Sequence, residues 1–222
     1  MLSMTYNESV YRSTVERHMS DYFAENASPA VKDACRFALL KEFNVQVDIL
    51  KSKSDENDIG LTCSALLWLI GLIQRFDRKS FETVLKLFCE DTDLLNSINT
   101  RVGKSYQPSS DILVILINLF LKALGKGDII TPASFRLSFL TNWVDTMATL
   151  MTTLGRFSTS AQLLDALEKG IADVADTLPL AEQRVIYDIW KDAFTKNSLR
   201  VSGAFNWWTD KLHDAFTFDK AI

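Results

Sequence analysis

Histidine is almost missing from this chain of 222 residues: His18 and His213 are the only two. Neither has a companion set of cysteines or carboxylates at metal-ligand spacing, so a zinc site is not expected. A catalytic base also needs an orienting partner and a neighbouring nucleophile, and the sequence shows neither beside these residues. Glycine and proline are scarce, with 8 and 4 residues, which argues against a disordered or low-complexity chain. The three cysteines, Cys35, Cys63 and Cys89, are odd in number and lie within apolar helical patterns. There a thiol acts as a small buried hydrophobe, and the set fits a reducing, intracellular compartment, cytoplasm or nucleus, better than a disulfide framework.

Long hydrophobic runs are lacking too. The most apolar segments, Leu61–Ile73 and Ile112–Leu124, fall short of the roughly 20 residues that span a bilayer, so both are expected to be core helices and no membrane span is expected. The amino terminus has no continuous apolar block of the kind a secretory signal requires. There is no basic excess: 24 Lys and Arg against 28 Asp and Glu leave a formal charge of −4, which disfavours a nucleic-acid partner. The phosphate-loop pattern is incomplete as well. Gly103-Lys104-Ser105 resembles its end, but Ile98 stands where the leading glycine belongs.

What is present is helical periodicity from one end to the other, while period-two runs of β-branched residues are missing. Tyr6–Ala24 carries Val10, Tyr11, Val15, Met19 and Tyr22/Phe23 on one face. Ser28-Pro29 reads as the cap and first turn of a helix reaching about Leu50. Lys51–Asp58, KSKSDEND, contains no apolar residue and reads as the loop between an amino-terminal helical pair, 1–50, and a main helical domain, 59–218, packed as one unit with it.

The dense apolar stretch from Ile59 to Ile73, Trp68 included, predicts the core. Short helices follow at Ser80–Cys89 and at Thr92–Ile98, the latter capped by Asp91 or Thr92. After a polar loop at Arg101–Pro108, Ser109 or Ser110 is expected to cap a buried helix at Ile112–Leu124, and Gly125-Lys126-Gly127 supplies residues that tolerate a left-handed backbone at its end. Thr131-Pro132 opens a helix over Ala133–Leu154; Ser160–Thr177, Leu180–Phe194 and Ser202–Phe216 complete the chain. Glu168, Asp173 and Asp176 read as a solvated face. The fold class is all-α, an array of roughly eight to ten mostly antiparallel helices around one apolar core.

Several of these segments also carry a resemblance. Leu66-Leu67-Trp68-Leu69 with Phe81–Leu87, then Ala123-Leu124-Gly125-Lys126-Gly127, then Arg136-Leu137 leading to Trp143, Leu178-Pro179-Leu180-Ala181-Glu182-Gln183, and finally Ala204-Phe205-Asn206-Trp207-Trp208 stand in one order. Together they resemble the helical region that follows the BTB domain in a group of plant BTB/POZ proteins. Thr209-Asp210-Lys211 and the loop Asn197–Val201 depart from that pattern, which suits a divergent member.

The resemblance implies a protein-interaction module of a substrate adaptor for a cullin-RING ubiquitin ligase. The region before Ile59 reads as two helices rather than the mixed sheet of a BTB domain, so a cullin contact is expected only through a BTB domain not visible here.

No catalytic, cofactor-binding or metal-binding residue is assigned. The candidate interaction residues are Trp190, Phe205, Trp207 and Trp208, the three tryptophans each open to a core or an exposed reading. Adjacent tryptophans on a helix point about 100° apart, so both are buried only if their helix packs on more than one neighbour. The alternatives to a monomeric module are a self-associating scaffold and a helical enzyme enclosing a small apolar ligand between the two most apolar helices.

Overall fold

Apolar stripes spaced at helical periodicity gain by leaving water, and in the computed structural model most of them close on one another. The structure describes residues 2–24, 26–52, 56–102, 107–154, 161–197, 206 and 210. Among them are nine helices: α1 (Leu2–Tyr22), α2 (Pro29–Lys51), α3 (Glu56–Phe76), α4 (Arg78–Glu90), α5 (Thr92–Val102), α6 (Gln107–Gly125), α7 (Ala133–Leu154), α8 (Ala161–Ala175) and α9 (Leu180–Asn197). No described residue lies in a strand.

The starts and stops follow local chemistry. Ser28 is extended and its Oγ accepts the Val31 amide at 3.3 Å, with Pro29 as the first helical residue of α2. Single residues, Asp77 and Asp91, join α3 to α4 and α4 to α5, both in extended conformation. Asp91 caps α5 by accepting the Leu94 amide at 2.9 Å, and its other carboxylate oxygen pairs with Lys51 at the end of α2. That bond pushes the Lys51 ammonium above its ordinary range.

Helix α2 runs antiparallel to α3, because Arg36 near its start meets Asp77 just past the end of α3, with Nε to Oδ2 at 2.7 Å. Ser80 donates to the same oxygen at 2.6 Å. Burial alone would raise the Asp77 carboxyl, but the Arg36 and Ser80 bonds outweigh it and hold the group below the usual carboxylate range.

The core is one contiguous cluster contributed by α2 through α9. At its centre a line of rings ties α4, α6 and α7 together. Phe81 stacks on Phe120 with centroids 6.3 Å apart, Phe120 meets Phe88 at 5.1 Å, Phe88 meets Trp143 at 5.2 Å, and Trp143 meets Phe139 at 5.9 Å. Each such pair adds about 0.5–1.5 kcal/mol beyond the area it buries. All three thiols are buried as expected, and burial pushes Cys89 well above the ordinary thiol range.

Glycines let α6 and α8 approach closely. A Cβ on Gly170 would lie 3.0 Å from Leu121 Cβ, and one on Gly125 would lie 3.0 Å from Asp173 Cβ. Leu121 facing 170 and Gly125 facing 173 means that α6 and α8 run parallel, one helix apart in sequence.

Several expectations are corrected here. The polar segment 51–58 is not one loop: Lys51 belongs to α2, and Glu56 already starts α3. Ser110 does not cap α6, which begins upstream at Gln107 with Pro108 in its first turn; Ser110 is buried inside the helix. Glu168 is buried rather than part of a solvated face, because α8 packs against both α6 and α7. Leu67 and Trp68 are half-buried at the rim instead of in the core. The expected helix Ser202–Phe216 lies almost wholly outside the described residues.

Candidate protein-interaction surface

Reactive groups do not converge among the described residues. His18 lies exposed on α1, stacked on Tyr22 with centroids 6.1 Å apart. His213 and Gly103-Lys104-Ser105 lie outside the described residues. No set of three or more His, Cys, Asp or Glu side chains among the described residues is placed to hold a metal ion. No described helix is long and apolar enough to cross a membrane.

Of the four residues singled out from sequence, the structure describes one side chain. Trp190 is 0% exposed, surrounded by the core on α9, so it presents no surface to a partner in this arrangement. The core reading of Trp190 replaces the exposed one. Phe205, Trp207 and Trp208 lie outside the described residues; Asn206 between them is exposed.

Apolar surface is instead concentrated where sequence reasoning did not place it. On α2 the inward stripe is Cys35, Leu39, Phe43, Val47 and Leu50. A second stripe on the same helix, Ala30, Ala34, Phe37, Ala38 and Val45, faces water. Phe37 is 71% exposed there, and Leu61 on the adjoining α3 is 66% exposed. The signal was present: α2 is apolar on two faces, whereas a helix serving one core needs only one stripe.

A second apolar point stands at the turn between α6 and α7. Between α6 and α7 the backbone turns through Gly127 at φ +71°, and the Ile129 amide donates to Ala123 O at 3.2 Å. Ile129 is thereby driven inward while Ile130 projects outward, 84% exposed. Arg136 donates from Nη1 to Thr131 O and from Nη2 to Thr177 O at 3.1 Å, holding this turn against the turn between α8 and α9. Gln183 Nε2 donates to Leu178 O at 2.8 Å and closes that second turn, where Leu180 is 45% exposed.

The residues Gly125–Gly127, Arg136 and Leu178–Gln183 are thus one corner of the fold. Their chemistry is that of a bracket: glycines for close approach and reversal, a guanidinium and an amide spent on backbone carbonyls. What the bracket carries outward is Ile130 and Leu180.

Comparison with known proteins bears on what such a surface is for. The family model described as BTB/POZ Ankyrin-like repeat matches residues 31–212. A BTB/POZ domain-containing protein of Arabidopsis thaliana is 23% identical over 155 residues, which covers 68% of this chain and 30% of that protein. The chain therefore spans less than a third of that relative's length. No solved structure matches this chain.

Proposed function

Because the chain belongs to the BTB/POZ ankyrin-like repeat family, we propose that it is a non-enzymatic protein–protein interaction module. The observation that carries this reading is the outward apolar stripe of α2, centred on Phe37, on a helix whose other face is already committed to the core. Apolar side chains aligned over several turns give a partner a continuous surface to desolvate, and aromatic residues dominate the energetics of such contacts.

In the finer form of this proposal, the chain corresponds to the helical region that follows the BTB domain of a plant adaptor and recruits substrates to a cullin-RING ubiquitin ligase. Contact with the cullin then falls to a BTB domain rather than to these helices. Residues 1–50 and 59–218 act as one body within it, and Phe205, Trp207 and Trp208 remain candidate contacts beside Phe37 and Ile130.

The test is crosslinked affinity capture from a plant cell extract with the wild-type chain, Phe37→Asp, Ile130→Asp and Trp207→Ala/Trp208→Ala. A discrete protein captured by the wild type and lost with at least one variant is the expected result. Capture no better than a resin control, or a captured set unchanged by every variant, would overturn the reading.

A further inference from the structure

Helix α1 lies outside the matched segment, which begins at residue 31, yet it is seated on the helices of that segment. Its contact edge is Arg12, Val15, Glu16, Met19 and Phe23. That spacing gathers them into a strip about 100° wide on one side of a helix. Val15, Met19 and Phe23 pack on the rim of the core. Phe23 stacks on Phe76 with centroids 6.0 Å apart, and the Arg12 guanidinium lies 5.4 Å above the Trp68 ring. Ser13, Arg17, His18, Ser20 and Asp21 face water.

The receiving edge is Trp68, Arg75 and Phe76 on α3. Two donors converge there on one acceptor: Trp68 Nε1 reaches Glu16 Oε1 at 3.2 Å, and Arg75 Nη2 reaches the same oxygen at 3.4 Å. A carboxylate accepts from both with charge assistance, an amide oxygen accepts from both without it and so more weakly, and an ammonium accepts from neither and meets a like charge.

The seating is shallow. The Arg75 and Glu16 side chains keep 56% and 38% of their surface exposed, so water screens the pair. Helices α6 and α8, by contrast, approach to Cβ contact through their glycines. Segments held by few buried contacts open first in the native state.

We propose that the Trp68–Arg75–Phe76 edge is a helix-accepting groove that α1 fills in cis, and that its partner is an amphipathic helix of another protein. That helix carries apolar side chains at i, i+4 and i+8 and a carboxylate at i+1, the pattern that Val15, Met19, Phe23 and Glu16 display. This is helix-in-groove recognition, with the paired donors selecting the acid. The inference rests on the reading of the chain as a protein-interaction module and names one of its surfaces.

The experiment uses the full chain and a fluorescent synthetic peptide of residues 5–28 as the probe of the groove. In the wild type, amides of α1 exchange with deuterium well before those of α6 and α7. Glu16→Lys speeds exchange in α1 alone, and by vacating the groove it tightens peptide binding by about tenfold or more, since the cis occupant no longer competes. Adding Trp68→Ala to Glu16→Lys removes that gain, and Glu16→Gln behaves between the wild type and Glu16→Lys.

The proposal falls if α1 exchanges as slowly as α6, or if the peptide binds Glu16→Lys and Glu16→Lys/Trp68→Ala alike. It also falls if the wild type is a dimer whose α1 protection rises with concentration, which assigns the groove to a second copy. Failure of the peptide arms while Phe37-dependent capture persists defeats this inference alone. Loss of all capture defeats the broader reading and is scored independently of the peptide.

Discussion

Trp143→Phe is the sharpest perturbation of the scaffold. Trp143 is fully buried between Phe88 and Phe139, and its indole N–H donates to the Cys89 carbonyl at 3.3 Å. Cys89 is next to last in α4, so its carbonyl has no amide of α4 to accept from. Phenylalanine keeps a ring in the stack but removes the indole's second ring, a loss of roughly 1–2 kcal/mol in transfer and cavity energy. The unpaired carbonyl adds about 1–3 kcal/mol.

The expected total is about 3 kcal/mol, which for a domain of this size lowers Tm by roughly 6–12 °C. Urea unfolding at 25 °C followed by far-UV circular dichroism measures it. Trp68→Phe is the control: its ring is half-buried at the rim and bonded to Glu16, so the global midpoint shifts by under about 1 kcal/mol. A Trp143→Phe protein within about 0.5 kcal/mol of the wild type, or a Trp68→Phe protein equally destabilised, would refute the assignment of the core's centre.

Asp77 sets a pH signature. Its folded-state carboxyl is depressed, so the stability it contributes is complete above the unfolded-state value near ~3.9 and is lost as pH falls through the folded one. In Arg36→Met, burial becomes the dominant influence and raises the carboxyl. The stability gap between that variant and the wild type then narrows on acidification into the range where carboxylates take up protons, and a gap constant with pH would contradict this. Gly125→Ala forces a Cβ to within 3.2 Å of the Asp173 carbonyl carbon and costs about 1–3 kcal/mol by thermal melt, whereas Gly71→Ala, with nothing within 4 Å, gains up to about 1 kcal/mol. Phe37→Asp leaves stability within about 0.5 kcal/mol, while calorimetry against a partner captured through α2 shows a loss of about 2 kcal/mol or more.

The proposed surfaces share a physical logic. Phe37 and Ile130 are held outward by elements whose other contacts are satisfied, α2 by its buried stripe and the α6–α7 turn by Arg136. A rigid presentation lowers the conformational entropy a partner must overcome on binding. The groove under α1 works differently, since its occupant is removable and its selectivity comes from two donors aimed at one oxygen.

Local structure was legible from sequence alone because it depends on near neighbours. Ser28-Pro29 starting α2, Asp91 capping α5, Gly127 taking the left-handed turn and the apolar runs of α3 and α6 all follow from residues within a few positions of one another. Burial does not, because it depends on what arrives from elsewhere in the chain. Only the packing of α8 on α6 and α7 placed Glu168 inside, and only the tertiary fold chose which apolar face of α2 to cover and enclosed Trp190. The same holds for Ile129 and Ile130: one isoleucine fills the core and its neighbour meets water, and the array of helices, not the residue type, decides between them.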